Sequence, residues 1–123
     1  MKVVVFEPLK QPYVVQIEES LQGYKKVVGE ELSFHPIQMD DGTVFQLITN
    51  DQAILHKLPK NRRLYRGATE YDMIRGTFII VQLNEIGDES ISMDQQYIEF
   101  ILGNDFEWAT EDDIDPIITS FNF

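Results

Sequence analysis

The chemistry open to this chain is bounded first by what it lacks. It has no cysteine, which excludes disulfides, thiolate metal sites, iron–sulfur clusters and a cysteine nucleophile. Its two histidines, His35 and His56, lack the i, i+4 spacing of a helical metal pair, and both read as strand residues at the surface or hydrogen-bonded inside. No Gly-x-Ser-x-Gly elbow supports a nucleophilic serine, and no GxGxxG or GxxxxGK[ST] loop is present to cradle a phosphate. Glu111, Asp112, Asp113 and Asp115 invite a calcium reading. Counted from Asp112 or Asp113, however, the sixth residue is Ile117 or Ile118, where an EF-hand loop needs glycine. Asp40-Asp41-Gly42 reads as a hairpin turn. The sequence therefore predicts no catalytic residue, no metal and no cofactor.

What remains is charge, and its placement matters more than its total. The chain carries 21 acidic and 10 basic residues, a net charge of −11. Arg75 is the last base, so residues 1–75 are neutral overall and the whole imbalance lies in residues 76–123. Half of the bases fall in one stretch: Lys57, Lys60, Arg62, Arg63 and Arg66. With Tyr65 among them, Lys60, Asn61, Arg62, Arg63 and Arg66 are the candidate contacts for a phosphate or small ligand. The acidic third repels phosphates, so direct nucleic-acid binding by it is disfavoured. Its three readings are a solubilising face, a surface that meets a basic protein groove, and internal or intersubunit pairing with the 57–66 basic stretch. On the second reading Asp105, Glu107, Glu111, Asp112, Asp113 and Asp115 supply charge, and Trp108 supplies an apolar anchor.

These residues must be positioned by a small fold. The chain has 123 residues, 43% hydrophobic and 25% charged, which fits one globular domain. No apolar run is long enough to span a membrane, and an acid at Glu7 after a short apolar run is unlike a secretory leader. A cytoplasmic protein of the host cell is the expectation. Residues 2–6 read as a buried strand and residues 13–17 as a second extended piece. Ile17, Leu21, Tyr24 and Val28 step at helical spacing, predicting a helix over about residues 18–28 with Gly29 as its stop. Period-2 alternation then returns, and residues 31–57 read as a three-stranded antiparallel meander with Ala53-Ile54-Leu55-His56 as its last strand. Residues 58–76 read as irregular, with a short turn near 70–74. Residues 77–83 are the strongest strand, buried on both faces. Ser92 and Gln95 have capping-box spacing, predicting a helix from about Met93 to Leu102. A second helix start is read at Thr110, and the apolar residues from Phe106 to Phe123 predict docking on the domain or on another subunit.

Several short motifs resemble, in order and spacing, a small uncharacterised family found in bacteriophages and conjugative elements of Gram-positive bacteria. They are Lys2-Val3-Val4-Val5-Phe6-Glu7-Pro8 with Pro12-Tyr13-Val14, Leu58-Pro59 with Asn61-Arg62, and Tyr71-Asp72-Met73-Ile74 with Gly76-Thr77-Phe78. The resemblance spans roughly residues 1–83 and implies no activity. It matches Asn61 and Arg62 to the family's asparagine–arginine position, and Asp72 and Gly76 to its turn before the main strand. Asn61 and Arg62 are expected to brace a loop through backbone hydrogen bonds, and Gly76 to permit a turn that a Cβ would block.

The sequence thus predicts an α+β fold: an antiparallel or mixed sheet of about five strands with the 18–28 helix on one face. Residues 1–83 form its core, and residues 84–123 an acidic helical extension packed on the same domain. The expected role is that of a non-catalytic phage or mobile-element protein that binds a host protein through its acidic surface. Inhibition of a DNA-targeting defence nuclease, of the restriction or CRISPR type, is its most concrete form. The alternatives are a small-ligand or nucleotide-binding domain using the basic 57–66 stretch, and a homodimeric assembly module.

Overall fold

The computed structural model describes residues 1–39, 41–66 and 69–104. Its frame is an antiparallel sheet. β1 (Lys2–Phe6) pairs with β2 (Tyr13–Gln16), and β3 (Leu32–Gln38) pairs with β4 (Val44–Asn50). β7 (Phe78–Leu83) lies between these hairpins, giving the order β2-β1-β7-β4-β3. The short β8 (Ser90–Ile91) pairs with the far end of β7. Helix α1 (Leu21–Val28) connects the two hairpins, and α2 (Gln95–Asn104) follows β8. The α+β expectation holds, and every residue of β7 is buried, as its apolar run predicts.

Strand alternation divides the core in two. Val3, Val5, Ile48, Ile79, Val81 and Leu83 face α1 and meet Tyr24 and Val28. Val4, Phe6, Phe45, Leu47, Phe78 and Ile80 face the other way and meet Ile98 and Ile101 of α2 and Ile74. Each such aliphatic or aromatic side chain contributes about 1.5–3 kcal/mol when fully buried, so a sheet covered on both faces accounts for the stability of a domain without disulfides.

The structure corrects four local expectations. Helix α1 starts at Leu21, not residue 18, because Ser20 caps it: its Oγ accepts from Gly23 N–H at 3.1 Å. Leu21, expected on the buried stripe, is 57% exposed. Residues 51–57 form turns, not a third meander strand. Asn50 Oδ1 accepts from Gln52 N–H, and Ala53 N–H and His56 N–H donate to the carbonyls of Asn50 and Gln52, which bends the chain away from the sheet. His56 therefore lies in a turn, whereas His35 lies in β3 as expected.

The third correction concerns residues 58–76, which hold a second, two-stranded sheet: β5 (Lys60–Arg66) antiparallel to β6 (Thr69–Arg75). No apolar alternation announces the start of β5, because Asn61 and Arg62 are both wholly inaccessible there. Two consecutive inward residues violate regular pleating. A register shift between Lys60 and Arg62 resolves the conflict, since a bulge turns neighbouring side chains the same way. Fourth, Ser92 does not cap α2. Its Oγ accepts from Lys2 N–H at 2.9 Å, and Asp94 occupies the helix start, its carbonyl accepting from Tyr97 and Ile98 N–H.

Candidate functional site

Asn61 and Arg62 form a buried polar junction beneath the β5–β6 hairpin. Asn61 Nδ2 donates to the carbonyls of Phe6 at 2.9 Å and Gly76 at 2.7 Å. Its Oδ1 accepts from Arg62 Nη1 at 2.7 Å. Arg62 Nη2 donates to Lys10 O at 2.7 Å, and its guanidinium lies 5.5 Å from the centre of the Phe6 ring. Phe6 in turn stacks on Phe78 at 4.7 Å. One polar network therefore ties the β1–β2 loop, the end of β1 and the turn before β7 to the hairpin. Gly76 completes it at φ +76°, where a Cβ would stand 2.7 Å from Leu58 Cδ1, while Gly76 N–H donates to Pro59 O. The backbone bracing expected of Asn61 and Arg62 is what their side chains do.

This geometry bears on the basic stretch as a ligand site. A phosphate needs exposed donors, and Arg62 spends its donors inside the protein. Lys60 and Arg63 are only half-buried on the same strand. Arg66 lies on β5, but its side chain is outside the described residues. Lys57 is exposed in the 51–57 turns at φ +53°. The candidate partner-binding residues Asp105, Glu107, Trp108, Glu111, Asp112, Asp113 and Asp115 all lie outside the described residues, as does the second helix start at Thr110.

Three of the described acids, Asp41, Glu85 and Asp94, meet at the end of the sheet remote from Gly76. There the β3–β4 turn, the β7–β8 turn and the start of α2 enclose a cleft of about 430 Å³. Asp41, Glu85 and Asp94 line it, and no lysine or arginine does. Asp41 is fixed by its neighbours: Oδ1 accepts from Thr43 N–H at 2.8 Å and Oδ2 from Tyr97 O–H at 2.9 Å. These bonds, that from Thr43 N–H first, hold its carboxyl below the usual value of 3.8. Asp94 is held by Gln82, whose Nε2 donates to Asp94 Oδ2 at 3.1 Å and whose Oε1 accepts from Asp94 N–H at 2.9 Å. Asp88, Glu89 and Glu99 are solvent-facing around it. The sequence reading placed the acidic extension over residues 84–123 but its partner-binding residues beyond Asn104, and so did not single out Asp41 or Asp94. The Asp40-Asp41-Gly42 turn signal located the first of these without revealing its neighbours.

Among the described residues no group of three or more histidines and carboxylates is arranged to hold a metal ion. No helix among them is long and apolar enough to cross a membrane.

A two-faced antiparallel sheet, a helix on each face and a bulged hairpin braced by an asparagine–arginine pair define the class of domain. The chain belongs to the family described as a domain of unknown function, DUF3846, whose model matches residues 1–106. The match runs through β8 and α2, beyond residue 83 where the sequence resemblance ended. No curated protein and no solved structure matches the chain.

Proposed function

We propose that this is a non-catalytic protein of a bacteriophage or conjugative element that binds a host protein through its acidic surface, with a DNA-targeting defence nuclease as the target. The observation that carries the reading is the cleft lined by Asp41, Glu85 and Asp94 with no base among its lining residues. Glu85 and Asp94 belong to residues 76–123, a stretch with eleven acids and no base. Fixed carboxylates of one sign complement a groove that otherwise holds phosphates, and they speed encounter with it. The mobile-element setting rests on the motif resemblance, and the defence target on analogy with small acidic proteins of such elements.

The test is a tagged pull-down from host lysate at low and high salt, read by mass spectrometry. The expected result is a stoichiometric nucleic-acid-binding protein lost at high salt, because exposed charge pairs are screened. Two charge reversals divide the surface: Glu85→Lys with Asp88→Lys and Glu89→Lys, and Glu111→Lys with Asp112→Lys and Asp113→Lys. A partner retained by both triple variants would remove the acidic surface from the account.

A further inference from the structure

A second cleft, of about 150 Å³, lies between the β3–β4 edge of the large sheet and β6. Ser33, His35 and Thr49 reach it from one sheet face, since Ser33 pairs with Thr49 and His35 with Leu47 across the ladder. Asp51 and Ile54 contribute from the turns after β4, and Arg75 from the end of β6.

Arg75 is the distinctive member. It is half-buried, and among the described residues its one side-chain hydrogen bond is a long one, Nη1 to Leu58 O at 3.4 Å. Among the described residues no carboxylate stands within ion-pair distance of Arg75. A half-buried guanidinium with spare donors favours an oxyanion, which it can take in fork geometry. Thr49, 9% exposed, and His35 share a bond of 3.3 Å between Oγ1 and Nε2, which places a hydroxyl and an imidazole on the cleft wall.

Two further features narrow the ligand. Ser33 Oγ donates to Asp51 Oδ1 at 2.6 Å, which fixes a negative charge at the rim. That charge disfavours a dianion such as phosphate more than a single carboxylate. Beside it Ile54 and Leu55 stand 82% and 73% exposed, and Ile54 itself lines the cleft. The cleft is small, at about 150 Å³, and Ile54, on its lining and largely exposed, is the apolar surface open to the rest of a ligand.

We propose that this cleft binds a monocarboxylate borne on an apolar group, with Arg75 as its cationic anchor and Ile54 as its apolar contact. The site is separate from the acidic surface and stands or falls without it.

The experiment is titration of the ¹⁵N-labelled full chain, followed by amide chemical shifts, with 4-methylpentanoate, acetate, N-acetyl-leucine and inorganic phosphate. The expected result is saturable shifts confined to amides near Ser33, Thr49, Ile54 and Arg75, with acetate and phosphate about tenfold weaker than 4-methylpentanoate. Both 4-methylpentanoate and N-acetyl-leucine carry the required chemistry. The tighter of the two assigns the carboxylate to a free acid or to a peptide terminus. Arg75→Gln should weaken binding about tenfold or more. Ile54→Asn, at an exposed position that leaves the fold intact, should weaken 4-methylpentanoate and spare acetate. Non-saturating shifts, shifts centred elsewhere, phosphate binding as tightly as 4-methylpentanoate, or an Ile54→Asn protein that binds 4-methylpentanoate unchanged would each overturn the proposal.

Discussion

Two polar junctions fasten covering elements to the same face of the large sheet, and they are built on opposite principles. The Asn61–Arg62 junction under the hairpin is wholly buried, and its bonds end on main-chain carbonyls from three other segments. The junction under α2 lies nearer solvent and joins side chains, Asp41 to Tyr97 and Gln82 to Asp94. In the first, the Asn61 and Arg62 side chains are shut off from water, so a lost partner leaves their polar atoms unsatisfied. In the second, water competes for each group and the bonds are exchangeable. The same architectural task is rigid at one end of the sheet and adjustable at the other, and the adjustable end is where the acidic cleft opens.

Breaking the buried junction should have the largest effect. Arg62→Ala leaves a cavity and unsatisfied acceptors, and should cost about 3–5 kcal/mol in urea unfolding. Asn61→Ala removes the buried donor to the carbonyls of Phe6 and Gly76 and should cost about 2–4 kcal/mol. A loss below about 1 kcal/mol for both would show that the network is dispensable and the contrast unfounded. Gly76→Ala comes next. Its positive φ alone costs about 1–2 kcal/mol for a residue with a Cβ, and Leu58 must also move, so a lowered thermal midpoint is expected. At the other junction Asp94→Ala removes the acceptor of Gln82 and should cost about 1 kcal/mol, read as the same urea midpoint shift.

The smallest effect sharpens the comparison through pH. The folded state holds the Asp41 carboxyl below its ordinary value, chiefly through the bond from Thr43 N–H. A depressed carboxylate stabilises the fold above its unfolded value and loses that contribution as pH falls through the folded one. Asp41→Asn should therefore lower the urea midpoint slightly near neutral pH, and the gap from the native protein should close in acid. A gap that persists or widens as pH falls below the carboxylate range would assign the effect to geometry, not charge.

Legibility from sequence followed the same divide. β1, β7 and the β3–β4 hairpin were readable because apolar runs, alternation and an Asp-Gly turn report burial and register directly. β5 was not, since a bulge and two buried polar residues erase the pattern that marks a strand. The 51–57 turns misled because three consecutive apolar residues imitate a strand when only Ala53 is buried. The start of α2 misled because Ser92, spaced as a cap, is claimed by a main-chain N–H ninety residues away. Charge segregation was legible as composition. Its gathering of Asp41 with Glu85 and Asp94 depends on three turns meeting in space, which spacing along a chain does not encode.

The position of β7 in the chain also governs how the protein is made. Among the described residues, the strand that lies between β1 and β4 is the last long one to be synthesised. Until Phe78 to Leu83 emerge, the hairpins β1–β2 and β3–β4 have no strand to join them, and apolar faces that will later be interior remain open on both. The closing step therefore brings together segments far apart in sequence, which slows folding and exposes a nascent chain to aggregation. A chain that terminates before residue 78 is consequently a substrate for chaperones and proteases, not a smaller version of the same domain.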